Sequence, residues 1–206
     1  CGRRLRGDYG TEASVVAQQV NAPVQVVWSR ADDIRRDQFR QMAVHRFSAG
    51  LDAEGRIVAW RQRKASTSFQ LHRRPGNPAT EAYELLADDP PRRLVPHYQL
   101  EYAAFDSPVR LGYWRSVVHS GNAFAWQGFV DELAHAAGVD PLLFQQRLLG
   151  EARELPYEQH GGPGWDPGRL RHVLEVAAER AGWGAAQPER RGLGLAGHYT
   201  FGGYVG

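Results

Sequence analysis

The residues best placed to do chemistry lie in Gly112 to Gly138, GYWRSVVHSGNAFAWQGFVDELAHAAG. Trp114, Arg115 and Ser116 stand just ahead of a run with helical spacing. An arginine outside the N-terminus of a long helix gains nothing from the helix dipole, whose positive end faces it. Something else must hold it there: a carboxylate in a structural ion pair, or an anionic ligand. Two glycine clusters could cradle anions. In CGRR, Gly2 and two arginines precede a helix, and N–H groups near helix N-termini bind phosphate well. GLGLAGH (Gly192 to His198) resembles a dinucleotide loop, but no helix follows it, so it lacks the strand–loop–helix context such loops need. The histidines, His45, His72, His97, His119, His135, His160, His172 and His198, form no HxxxH or HxH pair, which argues against a His-ligated metal. Asp32–Asp33 and Asp88–Asp89 are adjacent carboxylates. Sequence neighbours do not face one another on regular structure, so neither pair implies a general acid and base. Asp131 and Glu132 read as the solvated side of a helix.

The chain that must position these groups has 206 residues, room for one large domain or two small ones. Its 42% apolar content predicts a real core, and its formal charge of +2 is too balanced to argue for nucleic acid. Lys64 is the only lysine among 25 cations, and arginine suits planar, bidentate anion contacts. A single cysteine, Cys1, excludes a disulfide framework within the chain. No apolar run approaches the ~20 residues needed to span a bilayer. The sequence opens mid-pattern without Met and stops at FGGYVG, so it reads as an internal fragment of a longer protein, periplasmic or cytoplasmic.

Periodicity predicts a helix over Thr11 to Asn21, capped by Thr11, with Ala13, Val16, Ala17 and Val20 as its apolar stripe. VQVVWS, Val24 to Ser29, is expected as a buried strand. Ala43 to Leu51 and Arg56 to Ser68 read as a hairpin around Asp52, Glu54 and Gly55. Its second arm alternates loosely, Ile57, Ala59 and Gln62 against Val58, Trp60 and Arg61. Gln70 to Pro96, rich in Pro, Arg and Asp, is expected as an irregular excursion over the surface. Tyr98 to Ser107 reads as a strand. Ser120 to Ala137 reads as a helix capped by Ser120 and ended by Gly138. A second helix starts at Asp140–Pro141 and runs through Leu149, and a third spans Arg169 to Ala181. His160 to Gly168 reads as a turn, and the last residues as a glycine-punctuated strand region. The pattern is α+β, with mixed sheets flanked by helices. The whole chain is expected to be one domain fragment, 1–206, with a division into 1–110 and 111–206 conceivable.

Five blocks, in order, resemble the large, molybdopterin-binding subunit of the xanthine dehydrogenase family, in its branch of isoquinoline 1-oxidoreductase beta subunits and related aldehyde dehydrogenases. CGRRLRGDYGTEA is similar to the end of that family's glycine-rich block. PVQVVWSRADDIRRDQFR, HRFSAGLDAEGRIVAW, GYWRSVVHSGNAFAWQGFVDELAHAAGVDPLLFQQRLL and GLGLAGHYTFGGYVG resemble the blocks that follow. The resemblance implies a molybdenum ion held by a molybdopterin cytosine dinucleotide, so the protein itself needs no Cys/His metal cluster. It implies hydroxylation of an N-heterocycle or oxidation of an aldehyde with water-derived oxygen. Electrons would pass to a small partner subunit carrying [2Fe-2S] clusters. By position it implies cofactor contacts at Gly2, Arg3, Trp114, Arg115 and Ser116, and pocket-lining roles for Arg40 and His198.

The chain departs from that pattern in two places. Cys1 stands where the family has Phe before the glycine. The family's G-x-G-E block, which carries the general base, has no counterpart here, so no catalytic residue is expected in this stretch and no activity from it alone. The competing reading is a non-catalytic or truncated homologue serving as a binding or interaction module.

Overall fold

A computed structural model describes residues 7–73, 82–158 and 162–206. The N-terminal helix α1 (Asp8–Ala17) starts earlier than predicted. Gly7, at φ 64°, is its N-cap, and Thr11 lies in its first turn, its hydroxyl donating to the Gly7 carbonyl at 3.4 Å. None of its residues is buried, so the expected apolar stripe faces outward. Val24 to Ser29 is not a strand. The segment keeps a two-residue rhythm, Val24, Val26 and Trp28 half-buried between exposed Gln25 and Val27, but no strand among the described residues pairs with it. A strand needs a neighbour's N–H and C=O groups as well as the right side chains. Helix α2 (Arg30–Arg36) follows, opened by a capping box in which Ser29 and Asp32 exchange side-chain and backbone hydrogen bonds.

The predicted hairpin is present. Strand β1 (Ala43–Leu51) pairs antiparallel with β2 (Ile57–Thr67). The Asp52 carboxylate accepts the N–H groups of Glu54 and Arg56, and Gly55 takes the left-handed conformation the turn requires (φ 76°). The register slips between Gly50 and Leu51, leaving Val58 as an extra residue. That bulge resets the alternation. Beyond it Trp60, Gln62, Lys64 and Ser66 face inward while Arg61 and Arg63 face outward, the reverse of the split expected for Trp60. Strand β3 (His97–Phe105) joins β2 in parallel, so the sheet is mixed, in the order β1-β2-β3.

A parallel neighbour demands a crossover, and residues 68–96 supply it. Among the described residues they carry the short helices α3 (Phe69–Arg73) and α4 (Ala82–Leu85) and a 3-10 turn at Arg92–Leu94. In its described part, this segment is not the surface excursion the sequence suggested. Phe69, Glu84, Leu86, Asp88 and Asp89 are all buried. Its prolines keep the regular elements short, and that is a different property from exposure.

The second half is helical. Helix α5 (His119–Ala136) starts one residue before the expected cap; Val118 is at N-cap without a side-chain hydrogen bond, and Ser120 lies inside the first turn. Gly138, at φ 64°, ends it. Asp140 caps α6 (Pro141–Leu149), accepting from Leu142 and Leu143, and Asp166 caps α7 (Pro167–Ala181). The two-residue strands β4 (Leu155–Pro156) and β5 (Gly164–Trp165) pair with each other, and β6 (His198–Thr200) with β7 (Gly203–Val205). The architecture is α+β with mixed sheets. Ile57 and Trp60 of the sheet pack with Trp126, Val130, Leu133 and Phe144 in one core. Within it Phe47 and Phe129 stack and Trp60 meets both edge-on, at centroid distances of 5.0–5.5 Å. A second core gathers Leu149, Tyr157, Trp165, Leu170, Leu174 and Tyr199, and a third gathers Phe69, Leu86, Leu111 and Val118 around the start of α5.

Candidate functional site

The loop from Gly112 to Val118 is held against residues 38–40. Phe39 and Leu111 form a β-bridge, in which the Phe39 N–H donates to the Arg110 carbonyl and the Gly112 N–H to the Phe39 carbonyl. Gly112 must lack a side chain, because Gln38 fills the space a Cβ would take. The Trp114 indole N–H donates to the Gln38 carbonyl at 2.6 Å, and the Arg40 guanidinium donates to the Val117 carbonyl at 3.1 Å. Arg40 also lies 5.7 Å from the Trp114 ring centre, within cation–π range. Arg40, Trp114, Arg115 and Ser116 thus belong to one surface feature, although nearly eighty residues separate its two halves in sequence.

The loop is strained. Ser116 and Val117 adopt φ values of 59° and 48° in succession, a region that β-branched residues strongly avoid. Each such residue costs on the order of 1–3 kcal/mol and persists only where its surroundings over-determine it. Here the Val117 N–H donates to Trp114, the His119 N–H to Ser116, and the Ser116 hydroxyl to Arg115, all to carbonyls at 2.7–2.8 Å. Arg115 is exposed, and no carboxylate among the described residues pairs with it. Of the two explanations for its position, the ion pair therefore lacks a partner here. The anionic-ligand explanation gains a second feature: α5 begins immediately behind the loop with no side-chain cap and no acidic residue in its first turn. Its positive end is left for something else to neutralise.

Behind the loop lies a buried polar cluster. His119, the first residue of α5, places its Nδ1 3.1 Å from Nε2 of His198 on β6. The Oδ2 of Asp89 lies 3.6 Å from the first of these nitrogens and 3.8 Å from the second. Gly197 lets β6 press this closely onto α7: a Cβ there would lie 2.8 Å from Leu174. The Gly197 N–H also donates to Gln127 of α5. The Tyr157 hydroxyl donates to Asp89 Oδ1 at 2.6 Å, and the Trp126 indole N–H points to His198 Nδ1 at 3.4 Å. Burial, with His119 adding to it and Asp89 opposing, holds the His198 imidazole down to about 4, so it is neutral at pH 7. Asp88 turns the other way, to Arg93 and the Glu158 N–H. The adjacent carboxylates thus serve different partners, as adjacency predicts. The segment carrying them is anchored to the sheet through Glu84, whose carboxylate accepts the Phe69 N–H and the Tyr102 hydroxyl.

Gly2 and Arg3 lie outside the described residues. Arg40 joins the Trp114–Arg115–Ser116 loop. His198 joins the buried cluster and also borders a cleft of about 500 Å³ lined by Phe124, Leu193, Leu195 and Val205. Sequence reasoning missed Tyr157, set Asp89 aside as half of an adjacent carboxylate pair, and passed over His119 as one scattered histidine. Their spacing carries no signal, because residues 89, 119, 157 and 198 meet only through the tertiary fold. The one available hint is that His119 opens the helix directly behind the aromatic–arginine pair.

The resemblance read from the sequence agrees with comparisons to known proteins. No family model matches the chain. Among curated proteins, the chain is 28% identical over 218 residues to the membrane-bound aldehyde dehydrogenase [pyrroloquinoline-quinone] of Gluconacetobacter polyoxogenes, covering 95% of this chain and 26% of the relative. It is 26% identical over 200 residues to a nicotinate dehydrogenase subunit of Pseudomonas putida, covering 92% of this chain and 15% of the relative. It is 28% identical over 153 residues to the beta subunit of isoquinoline 1-oxidoreductase of Brevundimonas diminuta, covering 70% of this chain and 19% of the relative. The chain spans about a quarter or less of the length of these oxidoreductases.

Proposed function

We propose that this chain is a segment of a molybdenum hydroxylase large subunit, and that the Arg40–Trp114–Arg115–Ser116 loop is its cofactor-facing element. The observation that carries this reading is the loop itself. Two separated blocks converge on a strained backbone that leaves one arginine exposed, with no carboxylate partner among the described residues, at the end of a long helix that has no side-chain cap. Strain of this kind concentrates at functional sites.

The residues fit an anionic pterin dinucleotide. Arg115 offers a guanidinium for phosphate or pterin oxygens, and the α5 N-terminus adds a positive field in the same direction. Trp114, half exposed, offers a ring face beside Arg40. The bound group would supply hydroxylation of an activated carbon of an N-heterocycle or aldehyde with water-derived oxygen. This chain's part is to bind and orient. Arg115 and Ser116 hold the anionic edge, Arg40 fixes the loop through the Val117 carbonyl, and His198 lines the adjoining cleft. The general base lies outside this stretch, and the electrons leave through a small partner that carries [2Fe-2S] clusters. The cytosine dinucleotide form and the class of small-molecule substrate follow from the same resemblance.

The test is Arg115→Ala in the full-length protein. Molybdenum per folded molecule should fall about tenfold or more, the range for a charge-assisted contact worth roughly 1.5–3 kcal/mol. Folding stability should stay within about 0.5 kcal/mol, as for an exposed surface residue. Unchanged molybdenum content would remove the loop from the cofactor site. Two further outcomes would replace the reading: a quinone in place of molybdenum, as the name of the Gluconacetobacter relative suggests, or a folded protein with no cofactor after expression with the maturation machinery. The second would identify a binding module.

A further inference from the structure

We propose that Asp89, His119 and His198 form a binding site for one divalent transition metal ion of the zinc class, separate from the cofactor loop and structural in role. The three side chains are buried, at 6%, 1% and 6% exposure, and one ligand atom from each points to a common centre. Those atoms, His119 Nδ1, His198 Nε2 and Asp89 Oδ2, are 3.1, 3.6 and 3.8 Å apart. A triangle with these sides has a circumradius of about 2.0 Å, so one point near its plane lies a zinc–nitrogen or zinc–oxygen bond length from all three. Three corners of a tetrahedron around zinc lie about 3.3–3.4 Å apart for bonds of about 2.0–2.1 Å, so the present edges need to close by only about 0.1–0.2 Å on average to lift the ion out of their plane and leave the fourth corner for water.

Asp89 Oδ2 is a buried carboxylate oxygen without a hydrogen-bond donor. A buried carboxylate oxygen with no donor of its own is costly, and a divalent cation at the common centre would satisfy it. The other carboxylate oxygen is already fixed by the Tyr157 hydroxyl, the kind of second contact that orients a ligating carboxylate. Two imidazoles and one carboxylate suit zinc or iron(II) and disfavour magnesium and calcium.

The proton balance is explicit. Without metal, the Trp126 N–H faces His198 Nδ1, so the imidazole proton sits on Nε2 and is donated to His119 Nδ1. On binding, the ion occupies that proton's position and the proton moves to His198 Nδ1. The indole contact, at 3.4 Å already at the long limit for a hydrogen bond, is given up. The ion would clasp three segments that meet nowhere in sequence: the crossover at Asp89, the start of α5 and the strand β6. Because His119 follows directly on Val118, the clasp also fixes the base of the strained loop.

The experiment uses the full-length chain, metal-stripped by chelator and then titrated with zinc chloride or cobalt chloride. One equivalent of zinc should be retained per chain, with an upward shift of several degrees in the thermal midpoint that chelator reverses. Cobalt should give the visible absorption of a tetrahedral N/O site. His198→Gln should lose both signals, while His45→Gln, a histidine outside the cluster, should keep them. The wild-type titration stands even where a variant does not fold. No cobalt spectrum and no zinc-dependent midpoint in the wild type would overturn the proposal, as would retention of zinc in His198→Gln. Zinc and molybdenum are counted separately in the same elemental analysis, so one equivalent of zinc in a chain without molybdenum would uphold this site while the cofactor reading fails.

Discussion

Replacing Lys64 by methionine should produce a stability difference that grows with pH. Lys64 is 3% exposed on the inward face of β2. Its ammonium donates to the Glu84 carbonyl at 2.7 Å and lies 5.6 Å from the Tyr102 ring centre. Burial brings it down from 10.5 to about 8, against the opposing pull of Glu84 and Asp89. Below pH 8 the lysine is protonated in both the folded and unfolded chain, and the cost of burying the charge is fully present. Between pH 8 and 10.5 the folded chain has released the proton while the unfolded chain still holds it, so stability rises with pH across that window. A drop from 10.5 to about 8 corresponds to about 3 kcal/mol, at about 1.4 kcal/mol per pH unit. Methionine keeps most of the apolar stem but has no such rise, and it leaves the Glu84 carbonyl without its donor, at roughly 1–3 kcal/mol. The variant should therefore be near parity with the wild type at pH 7 and fall behind by pH 10. For a chain of this size the gap in thermal midpoint should widen by roughly 6–12 °C, measured by circular dichroism at a series of pH values. A gap that stays constant from pH 7 to 10 would refute both the burial of a protonatable amine at this position and the role of Glu84 as its anchor.

Tyr157→Phe keeps the ring in the second core but removes the donor to Asp89 Oδ1; it should cost about 1.5–3 kcal/mol in urea unfolding, the range for a hydrogen bond to a charged group. Asp140→Ala removes the cap of α6 and the acceptor for the Trp183 indole N–H, and should cost about 1 kcal/mol. Leu174→Ala, at a fully buried site where α7 meets the Gly197 backbone, should cost about 2–5 kcal/mol and broaden the NMR signals of β6.

The local pattern determined a good deal. The β1–β2 hairpin, the three long helices and the α+β class follow from the Asp52–Gly55 turn, the Asp140–Pro141 helix start, and the glycines at 138 and 182, while Asp166–Pro167, expected within a turn, starts α7 two residues before Arg169. Each of those signals is a short-range hydrogen bond or backbone preference that residues a few positions apart settle between themselves. The aromatic–arginine loop was legible too, because an arginine at the wrong end of a helix is a local contradiction. The tertiary structure decided what needs partners from far along the chain. Val24 to Ser29 has a strand's rhythm but no described strand to pair with, and the bulge at Val58 turned Trp60 inward. The proline-rich crossover was expected at the surface because its composition disfavours long regular elements. Its described part is buried because the parallel β2–β3 pairing carries it past the sheet, where Lys64 and Tyr102 both bond Glu84. That path delivers Asp89 to His119 and His198. Spacing in sequence is silent about such a meeting, since loop closure costs little more at eighty residues than at forty and leaves no periodic trace.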